Sequence, residues 1–342
     1  MAVQKEVNLN QPLDSSKEST LSKSPLTPEL AQGALTLHGD RYNQLQVGLN
    51  RLLFWHPLLV AVLLFPIGLY FAYQAYEYVY IVESVFEFVE LFFTKENLRD
   101  HLVFLMPLLL LTVMFLTVFS FYLSDELKTI SEKFKTSVYM NELFGFDLRK
   151  FAKLDTSDVA TISPKERQQL KYGDNTQVII YRDSPIAIAT VVPITEKSSA
   201  TDFYVEITGL HVRKVFAKVD FETLLIDWCL LRSRQLYSEF TNNKENVSGC
   251  KIHVLTNCYN FEKNYISKLK ALKFELIAKS NELNPYERIE SKKQGWITNF
   301  FYSIFGIERH VYGLSIFTAN ASEDRLLNKA NEFSRKTIKK RK

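Results

Sequence analysis

Three cysteines, Cys229, Cys250 and Cys258, are the only thiols in this chain of 342 residues. None stands at metal-ligand spacing with a histidine pair, so no metal is expected, and the odd count argues against a disulfide framework and for a reducing compartment. Glu206 is a formal candidate for a general base, although a strand glutamate on a solvated face is the commoner explanation. Glu83, Glu87 and Glu90 form an acidic row within "YEYVYIVESVFEFVELFF" (residues 76–93), all on one helical face with aromatic and β-branched residues around the rest. Such a row suits a surface that meets a multispanning membrane protein, or a helix lying in the membrane interface; both readings stand. Ser24-Pro25 and Thr27-Pro28 can accept phosphate, and Asn246-Val247-Ser248 and Asn320-Ala321-Ser322 are glycosylation sequons. The net charge of +4 is too small and too scattered to argue for nucleic acid.

The elements that must position these residues are dominated by two apolar stretches, Leu52 to Tyr73 and Leu102 to Leu123, each 22 residues without Asp, Glu, Lys or Arg. That length crosses a bilayer core of roughly 30 Å as a helix. The first is less uniform, because His56 and Pro57 lie near its start; Trp55, Tyr70 and Tyr73 suit the headgroup level at its ends. Arg41, Arg51, Lys128, Lys133 and Lys135 flank the spans, whereas the loop between them offers only Lys95 and Arg99. The bias predicts a multi-pass protein with both termini cytoplasmic and an acidic amphipathic loop, residues 74–101, on the luminal side. The sequons are then expected to stay bare. Residues 1–33 read as a disordered polar tail without the features of a signal peptide, and residues 34–138 as the hairpin.

From Phe144 onward, strand and helix signals alternate as in an α+β domain, here placed at residues 139–320. "TQVIIYR" (176–182) and "IAIATVVPI" (186–194) read as a hairpin around Asp183-Ser184-Pro185, and "DFYVEITGLHV" (202–212) as a third strand. A helix over 220–237 follows, with Leu224, Leu225, Trp228 and Leu231 at core spacing. "CKIHVLT" (250–256) is a strand, 261–272 a helix, "FELIAKS" (274–280) a strand and "RHVYGLSIF" (309–317) the last. Between them "GWITNFFYSIFGI" (295–307) gives one aromatic helical face that either docks on a bilayer or closes a core, with core packing slightly favoured. Residues 321–342 form a basic C-terminal helix and tail, the helix carrying Leu326, Leu327, Ala330 and Phe333 on one face.

That order of mixed-sheet elements resembles the GCN5-related N-acetyltransferase fold over residues 139–317. Leu210 to Val212 stands where that family has the apolar end of its fourth strand, and "KALKF" (270–274) where it often carries Lys-x-Leu-Gly-Phe. The resemblance implies an acetyl-CoA loop of the form Gln/Arg-x-x-Gly-x-Gly/Ala after the fourth strand. The matching positions read Ala217, Lys218, Val219, Asp220, Phe221 and Glu222, so both glycines are replaced by acids. Side chains there block close approach to a pyrophosphate and two carboxylates repel it, while both acids suit a helix cap and first turn. The family's tyrosine general acid falls on Lys268 or Leu269, and Tyr265 lies one turn early. No cofactor and no catalytic residue are therefore expected.

The chain ends Lys339-Lys340-Arg341-Lys342, with lysines at the third and fourth positions from its end, the dilysine pattern read by the retrieval coat on membrane proteins of the endoplasmic reticulum. A frayed basic tail or a weak nuclear-import patch has the same composition. With "ALTLHGDRYNQLQVGLNRLLFWHP" (34–57), the hairpin, the degenerate domain and the basic end, the chain resembles the fungal endoplasmic reticulum proteins that package the high-affinity inorganic phosphate permease. The resemblance implies a non-enzymatic membrane chaperone that promotes loading of a transporter into coat-protein vesicles. A membrane-anchored N-acetyltransferase using acetyl-CoA is the alternative, and the loop at 217–222 favours the first.

Overall fold

The computed structural model describes residues 21–92, 94–154, 164–199, 201–241, 250–286 and 295–317. The chain divides into two units, one built from residues up to Gln44 and from Leu127 onward, the other from Leu45 to Glu126.

Strand β1 (Leu21–Pro25) comes first and helix α1 (Ala31–Phe54) follows. Both correct the expectation of a disordered tail through residue 33 for the part that is described: β1 pairs antiparallel with Thr176–Tyr181 along its whole length. Its sequence, LSKSP, carries almost no apolar signal, and backbone pairing holds it, with one side-chain hydrogen bond from Gln177 Nε2 to Ser24 O at 3.3 Å.

In the second unit, helix α2 (Pro57–Val79) is separated from α1 by a break at Trp55–His56 and bent by 46° from it. The first apolar stretch therefore straddles a break, because Pro57 has no N–H to continue α1. Helix α3 (Val85–Phe92) is short, and α4 (Lys95–Lys133) is one helix of 39 residues. Within α4, Leu105–Lys133 is long and apolar enough to cross a membrane by itself; among the described residues the bent pair of helices over 28–73 passes the same test only jointly. Leu64, Phe65, Leu69, Leu111, Met114 and Phe115 stand exposed on α2 and α4. A polar contact ties α4 to the end of α1, where the Ser120 hydroxyl donates to Asn50 Oδ1 at 3.2 Å.

The first unit holds the sheet. After helices α5 (Ser137–Phe144), α6 (Leu148–Phe151) and α7 (Pro164–Tyr172) come strands β2 (Thr176–Tyr181), β3 (Ser184–Pro193) and β4 (Asp202–Val212), then helix α8 (Phe221–Phe240). Strand β5 (Lys251–Tyr259), helix α9 (Lys263–Ala271), strand β6 (Glu275–Ser280), helix α10 (Trp296–Phe305) and strand β7 (Arg309–Phe317) complete it. Among the described residues the sheet has seven strands in the order β1-β2-β3-β4-β5-β7-β6, and only β4 and β5 pair in parallel. This is the mixed-sheet α+β architecture expected, with β1 added at one edge. The β2–β3 turn is made by Arg182 and Asp183, both at positive φ, the conformation a two-residue hairpin needs, rather than by residues 183–185 as expected.

Strand β3 is buried on both faces, which accounts for its continuous apolar run. On one face α8 packs Leu225, Ile226, Cys229 and Tyr237 against Ala187, Val205 and Val254. On the other lies the first half of α1, with Ala34, Leu37, His38, Arg41 and Tyr42 buried at helical spacing. The approach is close: a Cβ on Gly209 of β4 would collide with the His38 ring. The end of α4 lies along α1, where Ser131 donates to Gly39 O at 3.0 Å and Phe134 meets Tyr42 edge to face. The sheet unit thus draws in the first half of α1 and the end of α4, both expected from sequence to belong to the hairpin.

Candidate functional site

The parallel ladder between β4 and β5 runs from Asp202–Lys251 to Ile207–Thr256 and stops there. Beyond it β4 continues beside β3 to Val212, and β5 continues beside β7 to Tyr259. The two strands form a fork whose inner backbone groups need partners. Arg41 of α1 supplies them. Its Nη1 donates to Leu210 O at 3.0 Å and its Nη2 to Asn257 O at 3.3 Å, one carbonyl from each arm. The planar guanidinium can satisfy both because its donors diverge in a fixed plane.

Charge at this buried guanidinium is balanced locally. Glu262 Oε1 lies 3.7 Å from Arg41 Nη2, and the Tyr265 ring faces the guanidinium with its centroid 5.7 Å from Cζ. Burial raises the Glu262 carboxyl, and Arg41 together with the Tyr259 N–H draws it back. That N–H donates to Glu262 Oε2 at 2.8 Å. One turn before Arg41, His38 Nε2 and the Thr190 hydroxyl are 3.0 Å apart, and Thr190 meets Thr176 at 3.1 Å. Burial, with His211 and Arg41 nearby, pushes the His38 pKa down to about 3, so the ring is neutral. Asp40 Oδ2 and His211 Nε2 are 3.1 Å apart; that contact holds the Asp40 carboxyl below its ordinary value against the effect of burial. Glu206 accepts from Asn257 Nδ2 at 2.7 Å, and Asn257 Oδ1 accepts from Arg309 at 2.9 Å. Glu206 is thus half-buried in this network instead of standing on a solvated face.

The loop that should hold a pyrophosphate is also filled. Residues 217–222 lead into α8, and Lys268 of α9 places its Nζ 2.7 Å from Asp220 Oδ1 and 2.8 Å from Glu222 Oε2. The carboxylates outweigh the partial burial of Lys268 and raise its pKa, and the hydrogen bond from Lys268 lowers that of Asp220. Asp220 occupies the cap position of α8, where, after Lys268, the Thr223 hydroxyl and N–H also help to hold its carboxyl below its ordinary value. In this loop the Ala217, Val219 and Phe221 N–H groups donate to Lys214 O, Phe216 O and Val219 O, so they are already engaged within the chain. Tyr265 is buried, its hydroxyl 3.3 Å from Thr256 and its ring against Arg41.

Residues 3–316 match the model of a protein family described as inorganic phosphate transporter chaperone Pho86. The chain belongs to that family. No curated protein matches it significantly. Among solved structures the sheet unit is similar to Naa50 of Arabidopsis thaliana bound to a bisubstrate analogue, at 13% identity over 47% of this chain and 86% of that one, with a TM-score of 0.28. It is also similar to Ard1 of Thermoplasma volcanium, at 13% identity over 47% and 85% with a TM-score of 0.28. A GNAT-family acetyltransferase of Streptococcus pneumoniae gives 9% identity over 48% and 83%, again at 0.28.

In this Pho86-family chain the acidic row is not one helical face. Glu87 and Glu90 lie on α3, while Glu83 precedes it; all three are exposed. The Glu83 N–H donates to Glu87 Oε2 at 3.3 Å and the Glu87 N–H to Ser84 Oγ at 3.3 Å, so Glu87 helps start the helix. The helix is shorter than the 18 residues of the predicted segment because α2 runs on to Val79 and a turn follows it. Lys339, Lys340, both sequon asparagines and the C-terminal helix lie outside the described residues. Among the described residues no group of three metal-ligating side chains is found. Sequence reasoning missed Arg41 and His38. The available signal was their place in the stripe Ala34, Leu37, His38, Arg41, Tyr42, where charge at core spacing calls for a buried partner.

Proposed function

We propose that this chain is a non-enzymatic membrane chaperone for an inorganic phosphate transporter, working at the endoplasmic reticulum to load that client for vesicular export. One observation carries the choice against catalysis: the fork between β4 and β5 is occupied by Arg41 of the same chain, bonded to both arms. Entry of an acyl carrier's extended arm would require breaking those contacts and leaving Glu262 buried beside an empty fork. Lys268 closes the neighbouring loop in the same way.

In this reading α2 and the apolar part of α4 span the bilayer, with the segment around Glu83, Glu87 and Glu90 luminal and the sheet unit cytoplasmic beside both termini. Family membership supports the client class. The exposed apolar faces of α2 and α4 support spans that meet lipid or a client's helices. Lys339 and Lys340 would return the chaperone after release, through the retrieval coat.

Cells lacking the chain are the direct test. A phosphate transporter held in the endoplasmic reticulum, with unrelated transporters delivered normally, is the expected outcome; normal delivery of all of them would sink the chaperone reading. Titration of the full chain in detergent with acetyl-CoA tests the second half, where micromolar binding would overturn the non-enzymatic assignment.

A further inference from the structure

Helix α10 divides its residues sharply. Tyr302 and Phe305 are buried in the sheet unit, whereas Trp296 is 78% exposed and Phe300 56% exposed, with Ile297, Ser303 and Ile304 exposed beside them. Residues 296, 300, 303 and 304 fall on one side of a helix. The element is fixed in place: Gly306 adopts φ 60°, the Gly306 N–H donates to Ser303 O and the Ile307 N–H to Tyr302 O, ending the helix tightly. No charged residue occurs between Trp296 and Phe305. The outward face is therefore rigid, aromatic and uncharged.

We propose that α10 is an interfacial membrane-docking helix, its Trp296–Phe300–Ile304 face lying in the headgroup region of the bilayer that the chain's own spans cross. The proposal rests on the membrane-spanning reading of α2 and α4. Ten residues make a helix of roughly 15 Å, too short to span and long enough to lie flat. Tryptophan suits the interface, its ring apolar but for the wet indole N–H, and phenylalanine belongs on the apolar face of such a helix. The outward face is confined to one helix of 10 residues, whereas a stable protein interface draws about 20–30 residues and an area of roughly 800 Å² a side, which argues against a second copy or an untethered protein. A bilayer needs no such area here, because α4 runs unbroken from the apolar stretch into residues of the sheet unit, and tethering turns docking into an intramolecular event.

The test uses the full chain in vesicles of phosphatidylcholine and phosphatidylserine. The three native cysteines are buried, so Ser303→Cys on the outward face and, separately, Met114→Cys on the apolar part of α4 can each carry an environment-sensitive fluorophore. Lipids bearing a nitroxide near the headgroup should quench the label at 303, and lipids bearing it deep in the acyl chain should quench the label at 114. Quenching at 114 with a water-like, unquenched signal at 303 overturns the docking helix while the spans stand. A label at 303 shielded from aqueous iodide yet untouched by nitroxide lipids means that protein covers the face, which also overturns the proposal. Loss of quenching at 114 removes the tether, and the spanning reading falls together with this one.

Discussion

At the scale of single residues, Arg41 joins both arms of the fork and a buried carboxylate. Arg41→Ala leaves Leu210 O, Asn257 O and the Glu262 carboxylate without their shared partner, and removing one member of a buried ion pair costs about 3–5 kcal/mol. Thermal unfolding of the purified chain should show the loss, and Arg41→Lys should recover only part of it because an ammonium cannot face both arms. His38 makes a pH prediction. Its folded pKa of about 3 lies below the ordinary 6.5, so its contribution is complete above 6.5 and declines as pH falls toward 3. The slope for one proton is about 1.4 kcal/mol per pH unit. Unfolding midpoints between pH 7.5 and 5 should fall, and more shallowly in His38→Gln. Lys273 stands where the acetyltransferase resemblance has glycine, and it holds φ 65° at the end of α9, with the Phe274 N–H donating to Leu269 O and the Lys273 N–H to Lys270 O. The glycine-type helix end survives without its glycine; Lys273→Gly should stabilise by about 1 kcal/mol, and an unchanged midpoint would deny that strain.

At the scale of elements, the paired acids at the start of α8 raise the question of whether sequence reversal can reopen the cofactor loop. The double substitution Asp220→Gly, Glu222→Gly restores the two glycines and frees Lys268, yet isothermal titration should still show no acetyl-CoA binding because the fork is filled by α1, not by the loop. Binding by that variant alone would place the block in the loop. Strands β2 to β7 and helices α8 and α9 were legible because their apolar residues recur with periods of two and 3.6 against clear turn residues. Strand β1 was not, since LSKSP is polar and its order comes from pairing with β2, which no local pattern encodes. Helix α1 was hidden for a different reason. Its stripe contains His38 and Arg41, so a reader of hydropathy assigns those residues to solvent when their partners lie far along the chain, at Thr190, Leu210 and Asn257.

At the scale of the whole molecule, the two apolar stretches are an insertion between the first two strands of the sheet: β1 precedes them and β2 follows. Deleting residues 21–25 should leave β2 as a bare edge and give more concentration-dependent association in light scattering than the intact chain shows. The candidate site was only partly legible for the same reason that the sheet was: Asp220 and Glu222 are visible locally, but the filled fork joins residues separated by both apolar stretches. That arrangement also sets an order in time. Synthesis delivers β1 and Arg41 before either apolar stretch, and their partners Thr176–Tyr181, Leu210, Asn257 and Glu262 only after both. The first strand and the first helix must wait, unpaired, through the making of everything between. Completion of the sheet is therefore a late event that reports on the finished chain, and a polypeptide arrested midway holds its own clasp open.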